Sequence, residues 1–176
     1  MRFLKVLLIV VALLAALVWG GGMLLSPKFT VIRSVEIQAP PEQVYALVAD
    51  PKAWQQWSAW NRRDPEMQMS FSGEPVGAGA GWAWRSKSQG NGRMAFIAAD
   101  PNRKLDYDLQ FEDFEATSKG SFIFEPIDGG TRVSWTLNGD MGDKPPMRWF
   151  ALGADYMIGP DFEAGLRNLK SVAEKK

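Results

Sequence analysis

"VEIQAPPEQVYALVADPKAWQQWSAW" runs from Val35 to Trp60 and changes its period twice. Its first residues close a longer alternating run, "FTVIRSVEIQA", which begins at Phe29. Phe29, Val31, Val35 and Ile37 fall on one face; Thr30, Ser34, Glu36 and Gln38 fall on the other. Period two of this kind marks a half-buried strand. Arg33 interrupts the apolar face. A helix then opens on Pro40-Pro41, because proline at the first turn gives up an amide that has no partner there anyway. Glu42 meets the positive end of the helix dipole. Val44, Leu47 and Val48 supply an apolar stripe, and Asp50-Pro51 ends the helix, since a residue before proline avoids helical torsions.

The last part, "KAWQQWSAW", reads as a second short helix or turn. It holds Trp54, Trp57 and Trp60, three of the eight tryptophans in the chain. At α-helical spacing they drift round the axis; in a tighter 3₁₀ turn they align. Either way they form an apolar wedge beside whatever the strand belongs to. The wedge can plug a core, as buried aromatics usually do, or it can line the mouth of a ligand cavity.

Downstream, strand signals recur with turn punctuation between them. Met67, Met69 and Phe71 alternate in "EMQMSF", and Trp82 and Trp84 in "GWAWRS". "GRMAFIAAD" carries Met94 and Phe96 and stops at Asp100-Pro101-Asn102. "KLDYDLQFED" sets Leu105, Tyr107, Leu109 and Phe111 against Asp106, Asp108, Gln110 and Glu112. "GSFIFEP" turns Phe122 and Phe124 inward, and "TRVSWTLNG" does the same for Val133, Trp135 and Leu137. Such a series predicts an antiparallel meander with one wet and one dry face. After Pro145-Pro146 the apolar residues recur at helical spacing: Met147, Phe150, Ala154, Met157 or Ile158, Phe162, Leu166 and Leu169. Gly159-Pro160 is expected to kink or restart that helix. The order is strand, two short helices, about six strands and one long helix, an α+β arrangement. The long helix is the one element large enough to cover the dry face.

Before all this lies "VLLIVVALLAALVWGGGMLL", Val6 to Leu25, without a charge. As a helix it measures about 30 Å, the hydrocarbon thickness of a bilayer. Arg2 and Lys5 precede it. The run ends in Val18-Trp19-Gly20-Gly21-Gly22, a poor signal-peptidase site, so an uncleaved anchor is expected over residues 1–25. The positive-inside rule puts the amino terminus in the cytoplasm and residues 26–176 outside it, in the periplasm of a Gram-negative cell. A linker of only Ser26, Pro27 and Lys28 keeps the domain near the membrane surface.

Composition narrows the function. Twenty basic and twenty acidic residues cancel, which argues against nucleic acid as a partner. Cysteine and histidine are both absent. No nucleophilic triad and no imidazole or thiolate metal site can form. "GAGAG", Gly77 to Gly81, leads into a strand and not a helix, so it is no phosphate loop. "DPNRKLDYDLQFE" lacks the ligand and glycine positions of a calcium loop. No cofactor and no metal are expected.

"VEIQAPPEQVYALVADPKAWQQWSAW", "GTRVSW" (Gly130 to Trp135) and "MIGPDFEAGLRNLK" (Met157 to Lys170) together resemble the START-like, or polyketide cyclase/dehydrase-like (SRPBCC), superfamily. The resemblance covers residues 29–174. It implies a helix-grip fold, in which a curved antiparallel sheet wraps a long C-terminal helix, with a deep apolar cavity between the two. Inner-face candidates for its lining are Trp57, Trp60, Met69, Phe71, Trp82, Trp84, Met94 and Phe96, then Tyr107, Leu109, Phe111, Phe122, Phe124, Trp135, Phe150 and Met157. Arg33 is a candidate polar anchor for an anionic head group, or else it pairs with a carboxylate near water. Tyr107 and Arg85 are the other polar candidates.

Superfamily members include cyclases, lipid carriers and receptors, so the fold does not choose an activity. The expected function is non-catalytic: a membrane-anchored domain binding a hydrophobic small molecule or lipid. The alternative is a cyclase or dehydratase acting on an apolar substrate, which needs a buried Asp, Glu or Tyr in the cavity. A structural partner of another membrane protein is a third reading, opposed by the acidic residues on the outer sheet face.

Overall fold

The computed structural model describes residues 2–112 and 117–175. Helix α1 spans Arg2–Leu24. Strand β1 (Lys28–Ile37) follows, then the short helices α2 (Pro41–Ala49), α3 (Trp54–Trp57) and α4 (Ala59–Arg63). Strands β2 (Gln68–Gly73), β3 (Ala80–Arg85), β4 (Gly92–Asp100), β5 (Lys104–Phe111), β6 (Ser118–Ile127) and β7 (Gly130–Asp140) come next, and helix α5 (Pro145–Ala173) ends the chain. Asp113, the last residue of the run read as β5, lies outside the described residues.

The seven strands form one antiparallel sheet in the order β1-β7-β6-β5-β4-β3-β2. Consecutive strands are neighbours from β2 to β7, as short turns dictate. The exception is β1, which pairs with β7 in the register Val31↔Leu137 and Val35↔Val133. A register irregularity between Phe96 and Ala98 in β4 helps the sheet bend. Helix α5 lies in the concave face, completing the helix-grip fold.

The two tryptophans of α3 hold the helical corner together. A helix leaves its last carbonyls without amide partners, and at the end of α2 indoles supply them. Trp54 Nε1 donates to the Val48 carbonyl at 2.8 Å and Trp57 Nε1 to the Leu47 carbonyl at 3.0 Å. The Gly77 amide takes the Ala49 carbonyl at 2.9 Å. The polar edge of each indole is thus satisfied while the rings enter the core.

Contrary to the expectation of a deep hollow between sheet and C-terminal helix, that space is filled. Trp135 of β7 stacks on Phe162 of α5 with ring centroids 3.8 Å apart. Trp57 meets Trp135 edge-on at 5.8 Å, and Trp54 meets both Phe122 and Trp135 at 5.7 Å. Gly165 lets α5 come this close, since a Cβ there would stand 3.0 Å from the Trp135 ring. Tyr107 is fully buried: its hydroxyl donates to the Thr136 carbonyl at 2.7 Å and accepts from Trp135 Nε1 at 2.8 Å. A Cβ at Gly120 would overlap the Tyr107 ring.

The expected break at Gly159-Pro160 is absent, and α5 runs through it. Pro160 cannot donate to the Tyr156 carbonyl, but both residues face outward, where water can take that oxygen. On the inner side Gly159 accommodates the Arg33 side chain, which a Cβ would strike. The inward face of α5 consists of Ala151, Ala154, Phe162, Leu166 and Leu169, with Ile158 partly buried. Phe150 and Met157 stand off that face, 44% and 42% exposed. Their expected place on the inner surface is therefore corrected: Ala151 and Ile158 take it, one residue further round the helix.

Candidate functional site

A cavity of about 40 Å³ remains, and its position differs from the one expected. It lies between the sheet and the α3–α4 corner, and no residue of α5 lines it. Trp54, Ser58, Trp60 and Asn61 come from the corner; Met67 and Met69 come from the start of β2. Trp82, Trp84, Met94, Leu109 and Phe111 come from β3, β4 and β5, and Gln89 from the loop between β3 and β4. The volume fits a few water-sized groups. The unbranched side chains of Met67 and Met69, both half-buried, can change rotamer to widen it.

The outer wall is soft and the inner wall is stiff. Met67 and Met69 lean on Asn61, whose Nδ2 lies 3.6 and 3.0 Å from their sulfurs. Trp84 and Phe111 meet edge-to-face at 5.7 Å. On the inner side Trp54 packs on Trp82 at 4.9 Å. Trp60 is fixed by its Nε1, which donates to Asp161 Oδ2 at 2.9 Å. Arg63 pairs with the same carboxylate. A lining residue also carries a fully buried polar atom without a partner: Ser58 Oγ makes no hydrogen bond. A buried hydroxyl left alone costs about 1–3 kcal/mol, so a guest carrying one donor or acceptor would be stabilised there.

Of the residues singled out in the sequence, Trp60, Met69, Trp82, Trp84, Met94, Leu109 and Phe111 line this cavity. Trp57, Phe96, Tyr107, Phe122, Phe124 and Trp135 do not; each is at most 2% exposed within the solid core. Phe71 is also misplaced: it lies on edge strand β2, 39% exposed, with Lys52 Nζ 5.9 Å above its ring. Gln55 of α3 and Asn61 of α4 touch this strand at Met69, two residues before Phe71. Arg85 is exposed at the end of β3. Sequence reasoning passed over Ser58, Asn61, Met67 and Gln89 as lining. Met67 carried a signal, since it alternates with Met69; a loop glutamine carried none.

Arg33 is not in the cavity. Its Nη1 and Nη2 bond Asp155 at 2.7 and 3.1 Å, and its Nε bonds Glu163 at 2.7 Å. Both carboxylates belong to α5, so the guanidinium clasps that helix to β1 (the carboxylate pairing named as one of its two expected roles). The pair shifts both partners: hydrogen bonding from Arg33 holds the Asp155 carboxyl below its ordinary value, and the carboxylates push the Arg33 guanidinium up. Burial pushes the Tyr107 hydroxyl far above its ordinary value, and Tyr107 does not line the cavity. The cavity lining has no ionisable side chain among the described residues. Nor is there among them a group of three or more acidic residues that could hold a metal.

The register fixes where the cavity lies relative to α1. Phe29↔Gly139 and Lys119↔Asn138 lie at the same end of the strands as Leu109↔Ser118, from which Met94↔Leu109 and Trp82↔Met94 carry the level across the sheet; Phe111↔Gly92, Trp84↔Gly92 and Met69↔Trp84 lie two residues further towards that end. The cavity and the α1–β1 junction therefore share that end, four strand spacings apart, or about 19 Å. Helix α1 itself is long and apolar enough to cross a membrane.

Comparison with known proteins agrees with this architecture. Uncharacterised proteins of Mycobacterium bovis and Mycobacterium tuberculosis are 26% identical over 114 residues, 59% of this chain. The match covers 61% of those relatives' own length. Among solved structures, an uncharacterised Rhizobium leguminosarum protein aligns with a TM-score of 0.62 at 19% identity, covering 85% of this chain and 96% of that one. The di-domain ARO/CYC protein BexL from the BE-7585A biosynthetic pathway aligns with a TM-score of 0.60 at 19% identity, covering 85% of this chain and 51% of its own. At such identities the likeness is one of fold. A family model described as polyketide cyclase/dehydrase and lipid transport matches residues 28–174, and the chain belongs to that family.

Proposed function

We propose that this protein is a membrane-anchored, non-catalytic carrier or sensor of a hydrophobic small molecule or lipid. The cavity beneath α3 and α4 is its binding site. The observation that carries the reading is an apolar cavity lined in part by Ser58, whose buried Oγ makes no hydrogen bond. Such a lining favours an amphipathic guest whose apolar body lies between Trp60, Trp82 and Met94 and whose one polar group meets the serine. Its small volume means that Met67, Met69 and Gln89 at the rim must give way as the guest enters. Helix α1 holds the domain at the bilayer, with the domain outside the cytoplasm, and the rim is at the α1 end of the sheet, so loading from the adjacent leaflet is the short route. A cyclase or dehydratase role has less support: no described lining residue can move a proton at neutral pH, and the Tyr107 hydroxyl is engaged on both sides by the core.

The test is native mass spectrometry of the full chain, extracted in mild detergent, beside its Met69→Trp variant. The added indole fills the cavity at an edge strand that tolerates bulk. A retained small molecule in the parent that is lost from the variant is the expected result. A parent that retains nothing, or a variant that retains the same adduct, overturns the reading.

A further inference from the structure

Helix α5 changes character along its outward face. In its first half that face carries Trp149, Leu152, Tyr156 and Met157, exposed by 40%, 65%, 87% and 42%. Past Pro160 the same stripe continues as Glu163, Arg167 and Lys170. A helix lying wholly in water keeps a polar outer face from end to end. Here the switch occurs along the axis and not around it.

The apolar half is also the half joined to α1. The Trp149 ring lies over Gly21, and its Nε1 donates to the Val18 carbonyl at 2.9 Å. Gly22 is buried against Pro145, where any side chain would collide with the Pro145 carbonyl. Arg148 Nη1 reaches the terminal carbonyls of Met23 and Leu25 at 3.3 and 3.4 Å. Val18 precedes the end of α1 by six residues, about 9 Å of helix rise. The indole of Trp149 thus reaches well below the end of the apolar helix. Tryptophan and tyrosine are the residues that favour the boundary between hydrocarbon and water.

We propose that the outward face of the first half of α5 is seated in the lipid of the bilayer. The domain then rests on the membrane through α5 as well as hanging from α1. Glu163, Arg167 and Lys170 mark where the helix emerges into water. The contact fixes the domain's tilt and holds the cavity rim at a set height over the leaflet. This proposal depends on α1 being a membrane anchor.

The absence of cysteine makes the test clean. Single nitroxide labels are placed through Leu13→Cys, Leu152→Cys, Tyr156→Cys and Arg167→Cys in the full chain. The chain is held in nanodiscs of phosphatidylethanolamine and phosphatidylglycerol. Collision with oxygen reports lipid, and collision with a water-soluble nickel chelate reports water. All four positions are exposed on the protein, so the fold should survive, and circular dichroism checks it. The expected result is an oxygen-to-nickel ratio several-fold higher at 13, 152 and 156 than at 167. If 13 lies in lipid while 152 and 156 match 167, the anchor stands and the seating of α5 is overturned. If 13 also matches 167, the anchor itself fails. If 152 and 156 are shielded from both reagents, a second copy of the chain or another protein surface covers the stripe, and the lipid proposal is overturned.

Discussion

One stretch of seven residues serves two unlike regions. Trp57 enters the centre of the sheet, where Trp135 and Phe162 are already stacked, and no space is left. Trp60, three residues on and past the non-helical Ser58 that separates α3 from α4, borders a void between the corner and the strands. Both indoles meet Trp135 edge-on at 5.8 Å; the difference is that Trp60 also lines the cavity and Trp57 does not. At the centre α5 supplies Phe162 and closes with Gly165 against the aromatic rings. Towards β3 and β4 no helix of comparable length faces the sheet, and α3 and α4 span the gap only in part. Hollow and solid regions thus follow from where α5 lies, not from how apolar the strands are.

The strongest way to break this contrast is to remove an aromatic from each region. Trp135→Ala should cost about 3–5 kcal/mol, because it deletes a ring that contacts Phe162, Trp57 and Phe122 in a site unable to collapse. Trp84→Ala at the cavity rim should cost distinctly less. Equal losses in urea unfolding would mean that the rim is as tightly filled as the centre. Gly120→Ala should come next, at about 1–3 kcal/mol, since the new methyl group meets the Tyr107 ring with no room to shift. A thermal melt unchanged from the parent would show that the centre can yield.

The hollow region predicts the opposite sign. Ser58→Ala removes a buried hydroxyl with no partner and should stabilise the unliganded domain by roughly 1 kcal/mol. It should also weaken retention of the guest in the mass spectrum. A loss of stability would mean that the hydroxyl is satisfied in solution. The smallest effect is expected at the Arg33 clasp. Asp155 is held below its ordinary value of 3.8 in the folded chain, so the unfolded chain binds more protons between the two values. Its stabilising contribution is therefore complete above the ordinary value and fades as pH falls through the lower one. Asp155→Asn should lower stability slightly across the neutral range, as expected of an exposed pair, and converge with the parent in acid, which flattens that limb; a neutral stability and acid limb both unchanged would remove the clasp from the account.

Much of the architecture was legible because it rests on period. Every strand showed alternation, both proline-marked helix starts were visible, and the stretch from Val35 to Trp60 located the corner. What alternation cannot show is depth. Trp82 and Phe71 face each other across β3 and β2, yet one is buried and the other sits beyond the cover of any helix. Phase on α5 was misread at Phe150 and Met157 because small residues, Ala151 and Ala154, do the inward work where the helix lies closest. Arg33 stood out as an intruder on an apolar face, but its carboxylate partners lie on an element far along the chain. Ser58 looked like an ordinary link between two tryptophans; only the fold leaves its hydroxyl alone.

The seam between β1 and β7 has a consequence for how the protein is made. Thr30 and Asn138, hydrogen-bonded across it, are 108 positions apart. A ribosome adding about 5–20 residues per second finishes β7 roughly 5–20 s after β1 has been synthesised. During that interval the earliest strand of the nascent chain waits with both edges bare, and premature termination before Gly130 would leave it so.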